Sequence, residues 1–201
     1  MPRHRQGEQL RRRVAVEAAR LISETGQRDF HAAKRKAAQR LGIADEMALP
    51  SNQEIDAALR EHQSLFQPGH EILLQELRTA AAEAMHFFAR FQPRLVGAVL
   101  DGSADMHSAI SLHVFAESST DLIVFLLENG IDFSEGSRAL RYGPDDHREA
   151  PVVRFAVDGR AYDLTVLGID DLRQAPLDRV KGQPMNRVAR NGVLELIDNP
   201  T

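Results

Sequence analysis

The sequence predicts an α+β fold: a helical N-terminal segment followed by a small mixed sheet flanked by helices. Apolar residues recur at helical spacing as far as Phe91. From Leu95 onward short apolar and alternating runs replace them. Between two such runs stands Asp158-Gly159, the strongest short hairpin signal in the chain.

The elements follow in order. Residues 8–25 place Leu10, Val14, Ala18, Leu21 and Ile22 on one helical face, with Gly26 as a stop. A basic helix over 28–41 ends at Gly42. Pro50 breaks the chain. Ser51 then opens a third helix, with Glu54 three residues on in a capping-box arrangement. That helix stops before Pro68-Gly69, where a boundary divides a basic region, 1–68, from a core, 69–201. A long helix over 70–91 carries Leu73, Leu77, Ala81, Phe88 and Phe91 and ends at Pro93. Leu95–Leu100 and Ile110–Ala116 read as buried strands. Ser119 or Thr120 caps a helix that Gly130 ends. A short strand is expected near 138–142, then the hairpin 152–157 and 161–167. A loop-like tail over 168–186 precedes a last helix at 187–197.

Composition excludes several chemistries. The 201 residues include no Cys, which removes disulfides, thiolate nucleophiles and Cys-ligated zinc. No Trp and two Tyr leave few platforms for stacking bases. No signal-peptide stretch and no membrane span are read, so a cytoplasmic protein is expected. Residues 1–41 hold eleven Lys/Arg against four Asp/Glu, and the rest of the chain fourteen against twenty-five. The basic arm contacts either nucleic acid or the acidic body.

The stretch Val96-Gly97-Ala98-Val99-Leu100-Asp101-Gly102-Ser103-Ala104-Asp105-Met106-His107-Ser108-Ala109-Ile110-Ser111-Leu112-His113-Val114 carries the most information. It resembles the core motif of the nucleotidyltransferase superfamily related to DNA polymerase beta. That pattern is hydrophobic–Gly–Ser, about ten residues, then Asp–hydrophobic–Asp–hydrophobic. Gly97 and Gly102 match its two glycines, Ser108 its serine before the first Asp, and Ile110, Leu112 and Val114 its apolar strand positions. The resemblance spans roughly residues 70–170 and implies a mixed sheet of nucleotidyltransferase type. It also implies a phosphoryl-transfer site in which paired carboxylates hold Mg²⁺ against a nucleoside triphosphate. Asp163, on the second hairpin strand, stands for the third carboxylate.

The functional letters are missing. Ala98 replaces the Ser, and Ala109 and Ser111 replace the two Asp. The resemblance therefore implies a degenerate member: a cytoplasmic module that binds a nucleotide, a nucleic acid or a protein partner without transferring anything. The alternative is an active Mg²⁺-dependent nucleotidyltransferase with a rearranged site using Asp163 and His113. The N-terminal region is similar to those of bacterial proteins carrying a nucleotidyltransferase-like core.

Other residues have two readings each. His113 shares a strand face with Ser111 and pairs with Asp163 as acid/base, or is a buried hydrogen-bonded histidine. Ser103, Asp105 and His107 read as turn residues. Arg154 either contacts phosphate or pairs with an acid. Lys34, Arg35 and Lys36 form a basic helix face that either binds phosphates nonspecifically or is simply solvated.

Overall fold

The computed structural model describes residues 2–25, 29–43, 49–66, 69–178 and 182–199. Gly26 and Pro68, read above as a helix stop and a boundary, lie outside them. The chain divides into two compact units, Met1–Glu71 and Ile72–Thr201.

The first unit holds α1 (Pro2–Thr25), α2 (Phe30–Arg40) and α3 (Asn52–Phe66). Val14, Ala18, Leu21 and Ile22 of α1 pack with Ala33 and Ala37 of α2 and Ile55 and Leu59 of α3. The alanines let the helix backbones approach closely. The starts of α2 and α3 are each fixed by a polar side chain. The Ala32 N–H donates to Asp29 Oδ1 at 2.9 Å. The Ser51–Glu54 capping box forms as expected: Ser51 N–H donates to Glu54 Oε2 at 2.6 Å, and Glu54 N–H to Ser51 Oγ at 3.2 Å.

The second unit is a five-stranded mixed sheet with helices packed on it. It begins within α4 (His70–Phe87) and a 3-10 turn at Ala89–Phe91. There follow β1 (Arg94–Val96), α5 (Ala98–Asp101), β2 (Ile110–Phe115), α6 (Ser119–Glu128), β3 (Ser134–Arg141), β4 (His147–Val157), β5 (Arg160–Leu167) and α7 (Arg190–Asp198). The order across the sheet is β1-β2-β5-β4-β3. Only β2 and β5 run parallel; the other neighbours are antiparallel. The β4–β5 hairpin turns through Asp158 (φ 52°) and Gly159 (φ 74°), the two positive dihedrals of a type I′ turn.

Period-two alternation divides the sheet into two faces. Leu95, Ile110, Leu112, Val114, Val153, Phe155, Leu164 and Val166 share one core with Leu77 and Met85 of α4, Leu122 and Leu126 of α6, and Val193 of α7. The opposite face carries Ser111, His113, Arg138, Arg154, Asp163 and Thr165. At one end it closes into a small apolar cluster of Phe115, Leu140, Tyr142, Ala150 and Leu167. No described helix is long and apolar enough to cross a membrane.

Several expectations need correction. The strand expected over Leu95–Leu100 ends at Val96, because Gly97 takes φ 72°, ψ −149° and turns the chain into α5. β3 begins at Ser134, since its polar residues pair with β4 along their whole length. The long helix ends at Phe87 and resumes as the 3-10 turn. The cap of α6 is Ser118, whose side chain and that of Asp121 form a capping box. The tail contains a 3-10 turn at Ile169–Leu172, and α7 starts at Arg190.

Candidate functional site

The nineteen-residue stretch folds as strand, helical turn, clasped loop and strand. Gly97 is the pivot: its φ of 72° is one that L side chains rarely adopt, and it lies against Ser111, whose Cβ is 3.9 Å from where a glycine Cβ would stand. Ala98 opens α5 and Gly102 closes it. Two aspartates then shape the loop. Asp101 Oδ1 accepts from Ser103 Oγ at 2.6 Å. Asp105 Oδ1 accepts from the His107 N–H and from Ser108 Oγ, both at 2.9 Å. Ser103, Asp105, His107 and Ser108 are thus turn residues. Ala109, half-buried, directly precedes β2.

Register brings the remaining motif positions together. Ser111 sits between Val96 of β1 and Asp163 of β5. Asp163 in turn faces Arg154 of β4. The Asp163 side chain is only 12% exposed and both its oxygens are engaged. Arg138 Nη2 donates to them at 3.0 and 2.8 Å, and Arg154 Nε donates to Oδ2 at 3.1 Å. Arg138 Nη1 also donates to Thr165 Oγ1 at 3.1 Å. The backbone of β3 makes room for this clasp. A Cβ on Gly136 would stand 2.8 Å from Arg154 Nη1.

His113 does not join Asp163. It is flanked by Arg94 of β1 and Thr165 of β5 in register and is 1% exposed. Its Nδ1 has no hydrogen-bond partner. Burial, then the charges of Arg187 and Arg138, push its pKa down to about 3, so the ring is neutral across the physiological range. Arg187 stacks over Phe115, its guanidinium carbon 5.5 Å from the ring centroid. It donates to the backbone carbonyls of Asp171 and Leu172 at 2.8 and 3.1 Å. Burial lowers its pKa, but a guanidinium retains its charge.

Arg138, Thr165 and Arg187 also lie on this face, and the motif did not point to them. The Arg154–Asp163 pair was available from the hairpin, because a two-residue turn at 158–159 places 154 opposite 163. Arg138 had no such signal, lying in a polar stretch of low strand propensity. On the helical unit, Lys34 Nζ donates to the Pro50 carbonyl at 3.1 Å and so supports the fold. Arg35 and Lys36 are exposed.

Mg²⁺ does not fit this donor set. It seeks several hard oxygen ligands, whereas two of the three motif positions offer a methyl group and a neutral hydroxyl. The third, Asp163, is already bound by two cations that would repel a dication. Among the described residues, no three His, Cys, Asp or Glu side chains converge in a way that could hold a metal ion. Comparison with protein-family models, curated proteins and solved structures gives no match.

Proposed function

We propose that this chain is a catalytically degenerate, nucleotidyltransferase-like module that binds a ligand in its open sheet face and transfers nothing. The clasp of Arg138 and Arg154 on Asp163 carries the reading. Two juxtapositions support the resemblance: Gly97 lies against Ser111, and Ser111 lies beside Asp163. Ala109 and Ser111 stand where the resemblance calls for two carboxylates, and Asp163 is held by Arg138 and Arg154. Such a cleft favours an anionic group of a nucleotide, nucleic acid or acidic protein segment over a metal–triphosphate complex.

Two measurements test this. Incubation with Mg²⁺ and ATP labelled in its α-phosphate leaves the chain and any added acceptor unlabelled; metal-dependent labelling would sink the proposal. The double substitution Ala109→Asp and Ser111→Asp places carboxylates beside Asp163 and is expected to create Mn²⁺ binding, read as paramagnetic broadening confined to residues near 97, 111 and 163. If the doubly substituted chain binds no Mn²⁺ there, the ancestry reading fails.

A further inference from the structure

We propose that the open sheet face seats a phosphate monoester, without a metal ion, between the guanidiniums of Arg138, Arg154 and Arg187. The proposal rests on reading this face as a binding cleft and adds the chemical class of its ligand.

Charge is the first argument. Arg138 and Arg154 share one carboxylate, Asp163, which leaves an excess of one positive charge there. Arg187 donates hydrogen bonds to neutral carbonyls; the nearby Asp171 carboxylate acts on it and on Arg148, which also holds Asp146. A phosphate monoester near neutral pH carries a charge of about −1.5 to −2 and three acceptor oxygens, which matches this excess in sign. Guanidinium forks suit phosphate oxygens geometrically as well.

Donor capacity is the second. Arg154 spends only Nε on Asp163, so its two Nη groups have no partner among the described residues. Its side chain is 46% exposed, and the missing Cβ of Gly136 lets the guanidinium lie along β3. One end of Arg154 is therefore anchored while the other is open to a ligand.

The third is His113. Its imidazole is buried on this face with Nδ1 unbonded. A buried polar atom without a partner is rare in folded proteins and costs stability. Thr165, which receives Arg138, lies opposite His113 in register, and Phe115, which carries Arg187, lies two residues along the same strand face. A phosphate oxygen drawn in between these two arginines supplies the missing acceptor for an Nδ1–H donor. Nδ1 is shielded from solvent, so the contact forms only when neighbouring side chains give way to the anion.

The test uses the full chain in EDTA. It is titrated with inorganic phosphate, with AMP against adenosine, and with a 5′-phosphorylated oligonucleotide against its 5′-hydroxyl counterpart. Saturable binding that needs the phosphate and survives EDTA is expected, and the tightest arm identifies the source. Arg154→Gln and Arg187→Gln should each weaken it on the order of tenfold or more, as expected for a lost charge-assisted contact. Arg160→Gln, at the start of β5 and paired with Glu76 of α4, should leave it unchanged. In the unsubstituted chain, the His113 Nδ1 resonance should move on adding phosphate. That readout, with Arg187→Lys, decides the matter if Arg187→Gln fails to fold. Equal binding of the dephosphorylated compounds, a requirement for Mg²⁺, or arginine variants indistinguishable from Arg160→Gln would overturn the proposal. If AMP binds no tighter than phosphate, the phosphate seat stands and the nucleotidyltransferase reading loses support. Mn²⁺ capture by the Ala109→Asp, Ser111→Asp chain without phosphate binding in the unsubstituted chain overturns the seat alone.

Discussion

On β2, Ile110, Leu112 and Val114 point into an apolar core, while Ser111 and His113, one residue away, point to a face built of guanidiniums, a carboxylate and a neutral imidazole. The same comparison holds on β5, where Leu164 and Val166 alternate with Asp163 and Thr165. The core face is held by area removed from water, which is non-directional and tolerant of which apolar residue supplies it. The open face is held by specific pairs, each of which leaves a charge exposed to loss if its partner is removed. Stability should therefore be concentrated on one face and chemistry on the other, and substitutions can separate them.

The largest effect is expected on the core face. Leu112 is fully buried, and Leu112→Ala should cost about 3 kcal/mol, within the range for a buried leucine whose cavity only partly collapses. Urea unfolding measures it. If the phosphate affinity of the folded fraction falls as steeply, the faces are not separable and the comparison fails.

Legibility in the sequence follows the same division. Alternation at 110–114 and 162–166 exposes the core positions, since one apolar residue serves there much as another does. The Ser51–Glu54 and Asp158-Gly159 signals hold because capping and type I′ turns depend on local chemistry. The break at Gly97 was missed: an apolar run reads as a strand whatever φ its glycine takes. Strand order and the reach of Arg138 from β3 to Asp163, twenty-five residues away, depend on long-range pairing that no local pattern records. Ala109 and Ser111 were legible as departures from the motif that the stretch resembles, but the guanidiniums gathered on Asp163 were not.

Asp163 comes next. Asp163→Asn keeps the shape and removes the charge that two guanidiniums share, and should cost between about 2 and 3 kcal/mol. That lies below the full penalty for breaking a buried pair, because both arginines retain some contact with water. Adding phosphate should recover part of that loss, since a bound anion stabilises the folded state by mass action. An Asp163→Asn chain as stable as the parent would show that the clasp is ornamental.

His113 gives a pH signature that the apolar face cannot. Its folded pKa of about 3 lies below the ordinary histidine value, so between those two values the unfolded chain binds the extra proton. Stability from this group is present above about pH 6.5 and is lost as pH falls toward 3. From pH 7 to pH 5 the loss is about 2 kcal/mol. The charged groups nearest the ring are the guanidiniums of Arg94, Arg138 and Arg187, and Asp163, which is ion-paired. Unfolding curves at the two pH values should show the difference in the parent chain and lose it in His113→Gln. The same slope in both chains would assign the acid sensitivity elsewhere.

The smallest effect is the sharpest test of the open face. Gly136→Ala places a methyl group where Arg154 Nη1 now lies, 2.8 Å from the new Cβ. The obstructed atom is the end of a flexible side chain, and Gly136 does not need a positive φ, so the guanidinium can swing aside. The stability cost should be under about 1 kcal/mol, the scale of one partly exposed ion pair. Phosphate affinity should nevertheless fall as far as in Arg154→Gln, because what the methyl removes is the guanidinium's position along β3. A double chain, Gly136→Ala with Arg154→Gln, should then bind no more weakly than either single variant, since both act on one contact. Additive losses would mean that Gly136 serves the ligand by some route other than Arg154, and that the open face is built differently from the clasp described above.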